Sequence, residues 1–214
     1  MGIRVNAYLQ QVASIAACVH SQDDLHERTY ASPVFCPDET AAVGIMEAIS
    51  LAKEQGDSVG GVVEFIASGI PPGLGDPVYD KLEARLAYAM MGLPAAKGFE
   101  IGSGFQSTAM TGSEHNDAFV VDNGTVVTQT NHAGGTLGGI STGMPLVGRV
   151  AFKPTSSVRK EQTTVDHEGQ KAVLALPAGS RHDPCVAIRA VPIVEAMAAL
   201  VLADAVLLNR CSRV

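Results

Sequence analysis

Gly179-Ser180-Arg181-His182-Asp183-Pro184-Cys185 opens directly into an apolar run from Val186 to about Asn209, and this pairing of a polar turn with an apolar helix decides how the chain is built. Ile188, Val191, Ile193, Val194, Met197, Leu200, Val201, Val206 and Leu207 leave the run almost no polar side. A helix that is apolar all round is buried between layers or lies in a membrane. Arg189, Glu195 and Asp204 interrupt this one short of the roughly 20 apolar residues a bilayer needs, so it reads as a central core helix. Asp183 before Pro184 is a helix-start signal, because a carboxylate accepts from the free first N–H groups and proline has none to lose. Arg181, His182 and Asp183 therefore stand on a turn beside the most rigid element, where polar groups can be held against a ligand.

Outward from that helix, strands and helices alternate irregularly. Gly2 to Val12 alternates apolar and polar residues as a half-buried strand, and Val12 to Val19 can pair with it. His20 to Tyr30 reads as a solvated loop. His20, Asp24 and His26 are metal-ligating types, but no helix fixes their spacing and no metal is expected. Asp38 to Gln55 is a helix closed by Gly56, and Val59 to Ala67 is a strand. Val78 to Met91 is a second helix and Phe99 to Phe105 a strand. Asp122-Asn123-Gly124 turns a peripheral hairpin, Leu146 to Phe152 is a strand, and Thr163–Val165 pairs with Ala172–Leu176. The pattern is α+β, a layered β-α-β sandwich with antiparallel sheets around a helical layer, in a single domain 1–214.

Composition narrows the function. A chain of 214 residues buries a core without disulfides or metal. Cys18, Cys36, Cys185 and Cys211 form no Cys-x-x-Cys pair, and with no signal peptide this points to a reducing cytoplasm. A net charge of −7 gives no basic surface for nucleic acid, and no membrane partner is expected.

Three loops carry polar chemistry. Gly92-Leu93-Pro94-Ala95-Ala96-Lys97-Gly98 could bring backbone to a flat ligand and Lys97 to an anion; the same residues also suit an ordinary helix-to-strand connection. Asn131 to Gly143 holds five glycines, yet lacks both the Gly-Lys-Ser/Thr ending and the Gly-x-Gly-x-x-Gly spacing of nucleotide loops. Lys153-Pro154-Thr155-Ser156-Ser157 offers one cation and three hydroxyls, which suit phosphate oxygens and equally suit a polar surface turn.

Several stretches together resemble the chorismate synthase family, in order and across nearly the whole chain. They are Gly56-Asp57-Ser58-Val59-Gly60-Gly61, Pro72-Gly73-Leu74-Gly75-Asp76-Pro77, Lys97-Gly98-Phe99-Glu100-Ile101-Gly102, Asn131-His132-Ala133-Gly134-Gly135, Leu137-Gly138-Gly139-Ile140-Ser141, Lys153-Pro154-Thr155-Ser156-Ser157 and Arg181-His182-Asp183-Pro184-Cys185. The resemblance implies a carbon–oxygen lyase of the shikimate pathway. It would convert 5-enolpyruvylshikimate 3-phosphate to chorismate by 1,4-elimination of phosphate, with reduced FMN and no net redox change, and NADPH is also expected of the family. It places FMN contacts at Pro94, Ala95, Gly138, Lys153, Pro154, Thr155, Ser156, Ser157 and Arg181, with no metal. Asp183 matches the carboxylate near flavin N5 that helps pass the proton taken from the substrate ring. A cytoplasmic homotetramer is implied.

The family's N-terminal part, with its Gly-Glu-Ser-His-Gly-like motif, arginine-rich substrate loop and Ser-Ala-Arg motif, has no counterpart here. Two histidines with acid-base roles belong to that part, and neither His132 nor His182 takes their place on motif grounds. The expectation is a truncated core, and two functions stay open: the synthase, or a catalytically silent core that keeps oligomer contacts and at most weak FMN binding. The cations counted for the site are Lys97, Lys153 and Arg181, with Arg189 a turn or more away, too few for a doubly carboxylated phosphate ester and FMN together.

Overall fold

The computed structural model describes residues 2–177 and 179–212. In chain order it holds β1 (Arg4–Val12), β2 (Ile15–Ala16), α1 (Leu25–Ala31), α2 (Glu39–Glu54), β3 (Gly61–Ser68), α3 (Leu82–Met91) and β4 (Ala96–Ile101). There follow α4 (Gly112–His115), β5 (Phe119–Asp122), β6 (Thr125–Thr128), β7 (Thr136–Leu137), β8 (Ile140–Ser141), β9 (Leu146–Phe152), β10 (Gln162–Val165), β11 (Lys171–Leu174) and α5 (Ala187–Cys211). One five-stranded antiparallel sheet, ordered β2-β1-β3-β9-β4, carries the helices, and the other strands form two-stranded hairpins. The α+β, antiparallel expectation holds.

Period-two alternation makes β9 the clearest strand: Leu146, Gly148, Val150 and Phe152 are buried, and the residues between them are half-exposed. Its buried face joins Leu9 of β1 and Val63 and Phe65 of β3 under the helices. Ala187, Ala190, Val191, Val194, Ala198, Leu202 and Ala205 are the buried stripe of α5, and alanines let the helix lie close to β1 and β3. On the opposite face, Tyr8, Glu64, Arg149 and Glu100 form a row, one residue per strand. The Tyr8 hydroxyl donates to Glu64, and Arg149 donates to Glu100 at 3.0 Å.

Local chemistry explains where the boundaries differ from expectation. The first long helix starts where expected, at Asp38, which caps α2 with its carboxylate accepting from the Ala41 N–H at 3.1 Å. His20 to Tyr30 is not all loop, since α1 begins at Leu25, whose side chain is buried against Tyr8 and Ile66. The second helix starts only at Leu82, because Val78 to Asp80 turn around Asp76, whose carboxylate accepts from the Val78 N–H. Phe99 to Phe105 is strand only to Ile101, after which Gly102 and Gly104 take positive φ and lead into a 3-10 turn.

The all-round burial expected of the last helix is corrected. Ile193, Leu200, Leu207 and Leu208 on α5 are about half exposed or more, as are Val43 and Leu51 on α2, because among the described residues the large sheet covers the helices from one side only. By length and composition α5 could cross a membrane. Its Glu195 nevertheless accepts from the Ala7 N–H at 3.0 Å and the Tyr30 hydroxyl at 3.2 Å, which ties it to β1 and α1.

The tightest approach is where β3 begins. A Cβ on Gly61 would lie 2.7 Å from the Gln11 carbonyl oxygen and 2.8 Å from the Ala187 Cβ, and one on Gly60 would lie 2.7 Å from the Phe152 carbonyl oxygen. Gly61→Ala should therefore cost about 1–3 kcal/mol in urea unfolding. Gly112→Ala, where a Cβ meets nothing within 4 Å, should stay within about 0.5 kcal/mol. Equal urea midpoints for the two variants would rule out close approach as the reason for glycine at 61.

Candidate functional site

The end of the sheet where β3 begins and β9 finishes gathers most of the expected site residues. Gly61 pairs with Phe152, and Phe152 with Ala96, so Lys153 leaves β9 beside the start of β4. The Lys153 N–H donates to the Ala95 carbonyl at 3.0 Å, and Ala95 takes a positive φ of 67° to present it. The Ser58 hydroxyl donates to the Thr155 carbonyl at 2.7 Å, and the Thr155 hydroxyl to the Asp183 carbonyl at 2.6 Å. The Val59 N–H donates to the Pro184 carbonyl at 2.8 Å. His182 completes the stitching, Nδ1 at 2.6 Å from the Ser157 carbonyl oxygen and Nε2 at 2.8 Å from that of Asp57. Pro94, Ala95, Lys153 to Ser157, Arg181 and Asp183 thus lie on three loops fastened to one another.

The side chains at this end divide into engaged and available groups. Lys153 and Arg181 are exposed and, among the described residues, have no ion-pair or side-chain hydrogen-bond partner; the same holds for the hydroxyls of Ser156 and Ser157. The Thr155 hydroxyl is engaged as a donor to the Asp183 backbone carbonyl, so it acts as a linker, and the available donor array is smaller than three hydroxyls. Asp183 does not cap the helix. Val186 stands at the N-cap with no side-chain cap, and Asp183 Oδ1 instead accepts from the Cys185 N–H at 3.3 Å, a local turn that competes with capping.

Sequence reasoning missed two basic neighbours and set a third too far away. Arg189 Nε lies 3.1 Å from Asp183 Oδ2, so it is the carboxylate's partner and not a remote cation. Arg159 donates to the Ser180 carbonyl at 3.2 Å, and Lys160 pairs with Asp57 at 2.6 Å. The Lys160 contact, followed by the Ser58 N–H, holds the Asp57 carboxyl below its ordinary value, and His182 adds to this. The signal for Arg159 and Lys160 was their place two and three residues beyond Ser157, on the same loop.

Gly138 is not brought to this end. It turns the β7–β8 hairpin, whose Gly139 carbonyl accepts from the N–H of Leu82 at the start of α3. Pro94 and Ala95 follow the far end of that helix, so within one chain Gly138 and Lys153 lie at opposite ends of the sheet. Among the described residues no group of three or more His, Cys, Asp or Glu could hold a metal ion.

At the Gly138 end, Asp117 organises the glycine-rich loop. Its carboxylate accepts from the Thr130 hydroxyl at 2.6 Å and from the His132 and Ala133 N–H groups at 2.8 and 2.9 Å. Burial pushes its pKa up, but these three donors outweigh that and hold it below the ordinary value. A depressed folded-state pKa contributes stability that is present above the unfolded value and lost as pH falls through the folded one. Asp117→Asn should cost about 1–3 kcal/mol near neutrality. Its deficit against the parent should close as pH drops below about 4. A deficit independent of pH in urea titrations would exclude the carboxylate as its cause.

The chorismate synthase family profile matches residues 1–207. A chorismate synthase of Protochlamydia amoebophila is 51% identical over 98% of this chain and 59% of its own length. One of Opitutus terrae is 52% identical over 95% of this chain and 55% of its own, and one of Synechococcus elongatus 52% over 95% and 56%. A crystal structure of chorismate synthase superposes with a TM-score of 0.76 at 30% identity, over 97% of this chain and 58% of that one. The chain thus spans between half and three-fifths of the length of the relatives it matches, and it belongs to the chorismate synthase family.

Proposed function

We propose that this chain supplies the flavin-phosphate side of a chorismate synthase site. That enzyme is the lyase that eliminates phosphate from 5-enolpyruvylshikimate 3-phosphate to give chorismate with reduced FMN. One observation carries the reading: Lys153 and Arg181, exposed and unpaired among the described residues, are held on loops joined through Thr155 and Asp183. A phosphate oxygen array asks for cations and short donors on fixed backbone. Lys153, Ser156, Ser157 and Arg181 fit that request, so the residues present suit the FMN phosphate. Bound reduced FMN supplies an electron-rich ring to a reaction without net redox change.

The chain's own residues then do three things. Lys153 and Arg181 bind phosphate charge, Lys153 as a point charge and Arg181 as a planar fork. Pro94 and Ala95 lie beside Lys153 through its N–H bond to the Ala95 carbonyl, where backbone can border a flat ring. Asp183 moves the proton taken from the substrate ring; Arg189 holds its carboxylate in place and the Thr155 hydroxyl fixes its backbone. Gly138 would meet the same flavin only from a second copy, which accords with the proposed homotetramer. The tie of Glu195 to β1 supports a protein surrounding for α5.

A second reading, a folded core that binds flavin weakly and does not turn over, is favoured by one observation. A departing phosphate needs an acid, and the imidazole at this end, His182, has both nitrogens engaged with carbonyls. Two experiments separate these readings from error. Lys153→Ala should weaken FMN binding, read by flavin fluorescence, by more than about tenfold, the loss of one charge-assisted contact. Equal affinities would discard the loop as the phosphate site. The purified chain, given substrate and excess reduced FMN under anaerobic conditions, should release no phosphate above a protein-free control. Sustained release would establish the synthase reading for these residues alone.

A further inference from the structure

We propose that His182 is a positioning residue, a doubly donating clamp that holds the Lys153–Ser157 loop in the shape that receives phosphate. The choice of ligand rests on the flavin reading above; the geometry does not. Each ring nitrogen faces a carbonyl oxygen, Nδ1 that of Ser157 at 2.6 Å and Nε2 that of Asp57 at 2.8 Å. A carbonyl only accepts, and a neutral imidazole has a single N–H beside one lone pair. The two bonds are made together only by a ring that carries both protons. Short distances of this kind are those of charge-assisted hydrogen bonds.

The clamp is long-range in sequence and local in space. It joins residues 25 and 125 positions away, so the loop after β9, the turn before β3 and the segment before α5 meet on one ring. Charged groups surround it on both sides. On the β3 side are the Asp57 carboxylate and Lys160, which pair with each other. On its own segment are Arg181 and Asp183, the latter paired with Arg189, while Arg159 reaches the neighbouring Ser180 carbonyl. Thr155 is held independently by Ser58 and Asp183, so loss of the ring should free the Ser156–Ser157 end while the middle of the loop stays in place. With both nitrogens engaged, the ring organises the site and is not free to donate a proton to a leaving group.

The test uses the full chain and three variants: His182→Gln, His182→Arg and Lys153→Ala. Imidazole 15N spectra of the parent should show both His182 nitrogens protonated in the folded protein. Amide exchange across residues 153–160 should accelerate in His182→Gln while β1, β3 and β9 stay protected. Oxidised FMN should bind that variant about tenfold or more weakly, one decade corresponding to 1.4 kcal/mol. Arginine, a charged planar fork that can donate to two carbonyls, should restore most of the affinity and protection. A single protonated nitrogen in the parent overturns the clamp, and so does a His182→Gln chain with parental exchange and affinity. If glutamine unfolds the chain, the parent's ring spectra and the arginine variant decide. Lys153→Ala that binds FMN like the parent removes the flavin reading, and exchange and ring spectra then judge the clamp. Lys153→Ala that binds weakly beside an unaffected His182→Gln removes the clamp alone.

Discussion

Three pieces of backbone meet at Gly60 and Gly61, and the rest of the site depends on that approach. The Phe152 and Gln11 carbonyls and the first alanine of α5 come closer than any side chain would permit. This fixes the start of β3, the exit of β9 and the entry of α5 as one junction. From it, Ser58, Val59, Lys153 and Pro184 are near enough for direct hydrogen bonds. Without the two glycines the loops would stand apart, and their polar groups would be solvated individually.

The stitching at this junction is made largely of backbone acceptors. Thr155, Ser58 and His182 donate to carbonyls, so they organise the loops while leaving Lys153 and Arg181 unneutralised among the described residues. Each such bond adds on the order of 1 kcal/mol net, enough in combination to order loops that lack regular structure. Ion pairs are placed around the rim, Arg189 with Asp183 and Lys160 with Asp57. Their value is more in orientation than in stability, since exposed pairs typically contribute no more than about 1 kcal/mol. The result is a preorganised cationic corner on an otherwise acidic chain.

Much of this was legible from residue order. The alternation in Leu146 to Phe152, the helix start at Asp38, the Asn123-Gly124 turn and the apolar spacing of the last helix follow local rules of period and turn chemistry, and each produced the expected element. The loop motifs located Lys153, Arg181 and Asp183, because cations, hydroxyls and a carboxylate clustered between regular elements are visible as composition. The late start of α3 and the helix at Leu25 were not visible, since both hinge on side chains that find partners far away or turn back on the chain.

By itself the sequence determined which residues could do chemistry and which stretches were strand, helix or turn, since those depend on neighbours a few positions away. Only the tertiary structure decided how the polar groups divide. It gave Asp183 to Arg189 and to a local turn instead of a helix cap, made Thr155 a linker, placed both nitrogens of His182 on carbonyls, and set Gly138 at the other end of the sheet. The reason is physical: a hydrogen bond or ion pair is fixed by distances of about 3 Å. Pairing across 25 to 125 residues is settled only when the sheet brings its strands into register.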